Sequence, residues 1–395
     1  MPPKKSSMTT RSSSLGKGKQ APHEHEALPT KGKFKSFSWI HCLCRYSSLV
    51  ICSLTLSTVL FSLSTQITQG DLAWTSRHFN SWWQIGGLLA WRTVELTIAW
   101  ILGYDARDVA SFTYLTHLPT YSLLYSFYGI RPTTLMTVAS ITILSTALPF
   151  LLFRSSSRVH EEYPFMRLSC SGAHTSSKTT RSAKTTKSSL KHQHHTILTD
   201  CPTTLYTTLV AACIYTIILY SSLATWLPTY LVTYYDGLPD LRIAHVGPKG
   251  FVSLLVALLP AGYSLRDFLF VSSVGAAQLE EQQHKRVTVA VEEEAEGEGK
   301  TGGKKARKHD EERAGEFLVT SLYRKYWLSL PAKTRMLVSR TTVLAMMTMM
   351  NTIMQVVGTI SGAEMEGAMG WGAIWTLATC VTGVIFGWVE AVDGL

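Results

Sequence analysis

WWQIGGLLAWRTVELTIAWILGYDARD, residues 82–108, is the stretch on which the reading of the whole chain turns. It is long and apolar enough for a membrane helix, which needs about 20 such residues. Yet Arg92 and Glu95 lie near its middle, and Asp105, Arg107 and Asp108 close it. A charge at mid-bilayer costs roughly 2.5–3.5 kcal/mol even on the lenient insertion scale. Three residues apart, Arg92 and Glu95 share one helix face. They can neutralise each other or reach groups such as His117 and Asn351 on facing helices. Such a helix needs a bundle around it, and the remaining sequence supplies one.

Composition agrees. The 395 residues are 46% hydrophobic and only 16% charged, with mean hydropathy +0.11, and the apolar residues fall into blocks long enough to span a bilayer. The net charge of +10 would suggest nucleic acid in a soluble chain. Here the basic residues lie between the apolar blocks, which points to lipid surface and topology and to no nucleic-acid partner. Seven cysteines at scattered spacings give no disulfide framework.

Outward from residues 82–108, the sequence predicts an all-α polytopic bundle of about eight spans. Residues 1–46 are basic and Ser/Thr/Pro-rich, and are expected to be disordered. Cys42 and Cys44 lie just before the first span; unmodified thiols are the simpler reading and palmitoylation the alternative. Residues 47–153 hold spans one to four, with a Trp82-Trp83 interface marker and a third span, 109–130, that carries His117, Pro119 and a stripe of Tyr114, Tyr121, Tyr125 and Tyr128. Residues 154–202 form a low-complexity basic loop. Residues 203–274 hold spans five and six, with a kink expected at Pro260-Ala-Gly262 before Arg266 and Asp267. Residues 275–335 are a charged loop whose segment 317–330 has one continuous apolar face, suited to a helix lying on the membrane or docked on a partner. Residues 336–395 hold the last two spans. The first of them has a polar stripe of Thr341, Thr348, Asn351, Gln355 and Thr359, and the second has Gly383-x-x-x-Gly387, which lets another helix approach closely.

Charge orients the bundle. With eight spans and a cytosolic N-terminus, both long loops are cytosolic, and only Arg77, Arg131, Arg242 and Lys249 are left in connections on the other side. Dropping the span at 109–130 would put the basic loop 154–202 outside. The basic segments are expected to meet anionic lipid headgroups, and the cytosolic loops to meet protein partners. An endomembrane location, the endoplasmic reticulum rather than the plasma membrane, is expected.

Chemistry is less legible. Asp105-x-x-Asp108 and Asp236-x-x-x-Asp240 look at first like the paired Asp-rich motifs of intramembrane prenyltransferases, which hold Mg²⁺ and a diphosphate. The eight-span topology puts the two on opposite sides, and polar turns at helix ends explain them better. No P-loop, dinucleotide fingerprint, nucleophile elbow or HExxH pattern occurs, so no catalytic residue, cofactor or metal is assigned. The intramembrane polar candidates are Arg92, Glu95, His117, Tyr121, Arg266, Asp267, Asn351 and Gln355, beside the polar turn Asp105, Arg107 and Asp108. As bundle-fixing groups they suit a scaffold or membrane-organising protein. As a substrate or proton site they would suit a small-solute or proton-coupled transporter, with a lipid-modifying enzyme as the third reading.

The run Gly103-Tyr-Asp-Ala-Arg-Asp-Val-Ala, with Leu118-Pro119 and Phe127-Tyr-Gly-Ile130, resembles a group of uncharacterised fungal multi-pass membrane proteins. The resemblance covers residues 82–153 and, more faintly, 203–275. It implies an all-helical membrane fold and nothing about reaction or substrate.

Overall fold

The computed structural model describes residues 31–68, 70, 81–154, 201–236, 238, 248–271, 327 and 330–393. The long loops and the proposed surface helix at 317–330 lie outside these, apart from Trp327 and Leu330. Two compact units are distinguished, one ending at Cys44 and one starting at Arg45.

The described residues form α1 (Lys31–Thr68), α2 (Trp82–Ile101), α3 (Ala106–Ser126), α4 (Pro132–Phe153), α5 (Cys201–Ala224), α6 (Leu227–Tyr234), α7 (Pro248–Leu265), α8 (Ala332–Thr359) and α9 (Met365–Asp393). They contain no strand, only an isolated bridge between Tyr235 and Ala363. Each stretch read as a span is therefore a helix of at least 18 residues. Six helices are long and apolar enough to cross a membrane; α2 and α3 fall short on hydropathy. Polar residues at the centre of each lower it, and those residues are what the bundle buries.

Two boundaries differ from expectation. Helix α1 begins at Lys31, well ahead of Ser47, because Trp39, Ile40 and Leu43 carry an apolar helical sequence back into the basic leader. In α7 the helix runs through Pro260, and the departure from α geometry comes at a π-helical turn, Arg266–Val271. Gly262 serves packing: a Cβ there would stand 2.5 Å from the Thr208 carbonyl oxygen, so α5 and α7 touch backbone to backbone.

Helix α3 is the hub. It packs against α4, α7, the π turn, α8 and α9. Buried on it are Asp108, Thr113, Thr116, His117 and Thr120, along with Phe112, Leu115 and Leu123. Its second half is pinned where Trp371 Nε1 donates to the Pro119 carbonyl at 2.8 Å, an oxygen that also accepts from Ser122 Oγ at 3.1 Å. The small residues of α9 face α8: a Cβ on Gly383 would stand 2.5 Å from Thr341 Cγ2, and one on Gly387 would stand 3.3 Å from Leu337 Cδ2. The Gly383-x-x-x-Gly387 face is thus used within the chain.

The helices alternate in direction. Arg154, just past α4, donates to the Trp100 carbonyl near the end of α2. Arg266, late in α7, reaches Thr204 early in α5. Arg340, early in α8, meets Asp108 at the start of α3. At the opposite end, Asp236 N donates to Gly362 O at 2.8 Å, just beyond α8. Gly362 has φ +76, and a Cβ there would stand 2.8 Å from the Asp236 carbonyl oxygen, so glycine is required on both counts.

Candidate functional site: two buried charged clusters

The first cluster sits where α2 passes into α3. Asp108 lies in the first turn of α3, where a carboxylate is favoured by the helix dipole. Its two oxygens accept from Arg340 Nη1 at 2.9 Å and Nη2 at 2.8 Å, a bidentate pair in a buried setting. Arg340 Nη1 also donates to the Phe268 carbonyl at 3.0 Å, and the guanidinium carbon lies 4.9 Å from the ring centres of both Tyr104 and Phe268. Burial, opposed by Arg340, pushes the Tyr104 phenol up to about 12, so this ring in the α2–α3 turn stays neutral. One position earlier on α3, about 100° round the helix, Arg107 makes a second bidentate pair with Asp267, at 2.7 and 2.6 Å. Arg266 Nη2 donates to Thr204 Oγ1 at 3.0 Å. The π turn puts Arg266, Asp267 and Phe268 all out of solvent: Arg266 reaches α5, Asp267 reaches α3, and the Phe268 ring packs against Tyr104, Phe112 and Arg340.

The second cluster lies about 13 Å further along α3, nine residues at 1.5 Å each. Arg92 Nη1 donates to Glu95 Oε2 at 2.9 Å within α2, as their spacing predicts. Arg92 Nη2 makes longer contacts, 3.4 Å each, to Thr142 O and Ser145 Oγ on α4. His117 of α3 presents Nε2 at 3.9 Å from Glu95 Oε1 and stacks on Tyr121, whose hydroxyl donates to Thr142 Oγ1 at 3.1 Å. A cavity of about 10 Å³, the size of one water, is lined by Arg92, Glu95, Thr113, Thr116 and Thr146 among others.

Of the candidates read from sequence, Arg92, Glu95, His117 and Tyr121 come together, and Arg266 and Asp267 join the turn Asp105–Asp108 instead. Asn351 is buried nearby but spans two other groups: it accepts from Trp91 Nε1 at 2.9 Å and donates to the Thr116 carbonyl at 2.9 Å. Gln355, a turn further along α8, is half-buried and lies outside both clusters. Arg340 was missed by sequence reasoning, although its place inside an apolar helix was an available signal. Asp236 and Asp108 lie at opposite ends of α8, about 30 Å apart by helix rise between Arg340 and Ile360. They cannot share one metal or diphosphate. Asp240 lies outside the described residues.

Residues 200–354 match the family model for the Bouquet formation protein 3 C-terminal domain. No curated protein and no solved structure matches the chain. The matched region runs from the start of α5 to the last turns of α8 and contains Arg266, Asp267, Arg340 and Asn351. Arg266 and its partner Thr204 both lie inside it, whereas Arg107, Asp108 and Thr116, the partners of Asp267, Arg340 and Asn351, lie on α3, outside it.

Proposed function

We propose that this chain is a polytopic membrane organiser that acts in bouquet formation. In this reading it is similar in role to the family its central region matches, and holds partners in place without turning over a substrate. Eight helices cross an endomembrane, of endoplasmic-reticulum type, with α2 and α3 sheltered by the other six. The basic segments before α1 and after α4, together with residues 272–330, lie on the cytosolic side, where they contact anionic headgroups and protein partners.

The observation that carries this reading is how the buried charges are used. Asp108, Arg340, Arg107 and Asp267 are tied helix to helix by bidentate pairs. The cavity at the second cluster has room for about one water and is far too small for a solute. Alternating helix contacts support the eight-span topology. Depletion from the source cells tests the role: bouquet formation should fail, and vesicles carrying the purified chain should show no solute flux above empty ones. Normal bouquet formation after depletion would overturn it, and a saturable solute flux would put a transporter in its place. A fluorescent fusion at the plasma membrane would overturn the endomembrane assignment.

A further inference from the structure

The second cluster contains a mismatch that packing alone does not explain. His117 Nδ1 lies 3.0 Å from the Thr113 carbonyl oxygen, which can only accept, and 3.3 Å from Thr116 Oγ1, whose own hydrogen is directed to the Phe112 and Thr113 carbonyls. Nδ1 therefore carries the hydrogen, and in a neutral ring Nε2 is a bare acceptor. It faces Glu95 Oε1 at 3.9 Å, and that oxygen has no hydrogen-bond partner among the described residues, although Glu95 is only 6% exposed. Two lone pairs oppose each other in a buried place, where an unmet acceptor is costly. The other carboxylate oxygen is already held by Arg92.

We propose that Glu95 and His117 form a proton-binding site inside the bundle. A proton from bulk water binds the Nε2 lone pair, and the new N–H donates to Glu95 Oε1. No other bond breaks, and the formal charge of Arg92, Glu95 and His117 together rises from zero to +1. Repulsion between two acceptors becomes one charge-assisted hydrogen bond, for which the groups must close to about 2.7–2.9 Å.

The groups facing the site are Arg92 from its own helix and His117 and Tyr121 from α3. Helix α4 presents the hydroxyls of Thr142, Ser145 and Thr146, and α8 presents Asn351, whose amide is engaged by Trp91 and Thr116. Desolvation and Arg92 oppose a second cation here, whereas the unmet carboxylate oxygen favours it.

The test is solid-state NMR of the full chain, ¹⁵N-labelled at histidine, in bilayers from about pH 8 to about pH 4.5, a range spanning ordinary histidine titration. His117 is identified by difference against His117→Gln, which keeps a donor for Thr113. The expected result is a neutral ring protonated at Nδ1 at high pH, becoming doubly protonated as pH falls. In Glu95→Gln the midpoint should drop by about one pH unit or more. A ring that stays neutral to the lowest pH, as it would beside a bridging water alone, overturns the proposal. So does a neutral ring with its hydrogen on Nε2, or a Glu95→Gln variant titrating like the parent. If Glu95→Gln does not fold, the parent titration still decides.

Discussion

Asp108 and Arg340 show what a buried charge does when it has a partner and what it would cost without one. The pair is 232 residues apart in sequence and bidentate, with the guanidinium lying against two rings. Asp108→Leu alone should destabilise the fold by about 3–5 kcal/mol, because it leaves a guanidinium buried without its carboxylate. Adding Arg340→Met should recover most of that loss. Thermal midpoints of the two singles and the double in detergent check this, and a double no better than the worse single would sink it. A smaller effect is expected at Gly262. There Gly262→Ala drives a methyl against the Thr208 carbonyl and should cost about 1–3 kcal/mol, read as a lower midpoint. At this scale the sequence was half legible. The i, i+3 spacing of Arg92 and Glu95 announced their pair. Nothing local to Asp108 or Arg107 could say that their partners sat on α8 and the π turn, since helix periodicity gives a residue's face but not the helix opposite.

Helix α3 is the element on which the two readings of this chain diverge. By hydropathy it is not a membrane helix, and with α2 it stands outside the six that are. By position it is the most enclosed of all, because its Asp, His and Thr side chains are met by five neighbouring elements. Lipid therefore need not solvate it, and hydropathy, which assumes that lipid does, undercounts it. If α3 crosses the membrane, single cysteines at Leu102 and Thr133 in a cysteine-free chain should label from opposite sides of sealed vesicles. Both positions are exposed, and they flank α3 at its two ends. Labelling of both from the same side would remove α3 as a span. The sequence placed a helix here because the basic loop after α4 called for a third crossing, an argument from charge that hydropathy could not make, and the structure has a helix at Ala106–Ser126.

For the whole molecule, the contacts put the start of α3, the end of α4, the start of α5, the end of α7 and the start of α8 together. Asp236 and Gly362 meet at the opposite end. Such an arrangement requires the segments 155–200 and 272–330 to leave from one face of the bundle. Cysteines introduced at 180 and 300 should accordingly share one accessibility, unlabelled from outside in vesicles of native orientation. Labelling of either from outside would break the eight-span topology. Charge counting had pointed the same way from sequence. What it could not supply was the filling of the interior, because close approaches such as Gly383 on Thr341 depend on which helices become neighbours.

The 232-residue separation of Asp108 from Arg340 also sets a schedule. A ribosome adding about 5–20 residues per second delivers Arg340 roughly 10–50 s after Asp108. Throughout that interval the hub helix exists without the partner that neutralises it and without the wall of α8 and α9 that keeps lipid away. A nascent chain stopped after Val271 should be recognised as an orphan and degraded quickly, even though it holds most of the helices. Supplying residues 332–393 as a separate polypeptide should lengthen its half-life in a pulse-chase. If Arg340→Met in that fragment rescued equally well, late neutralisation of Asp108 would not be the limiting step in assembly.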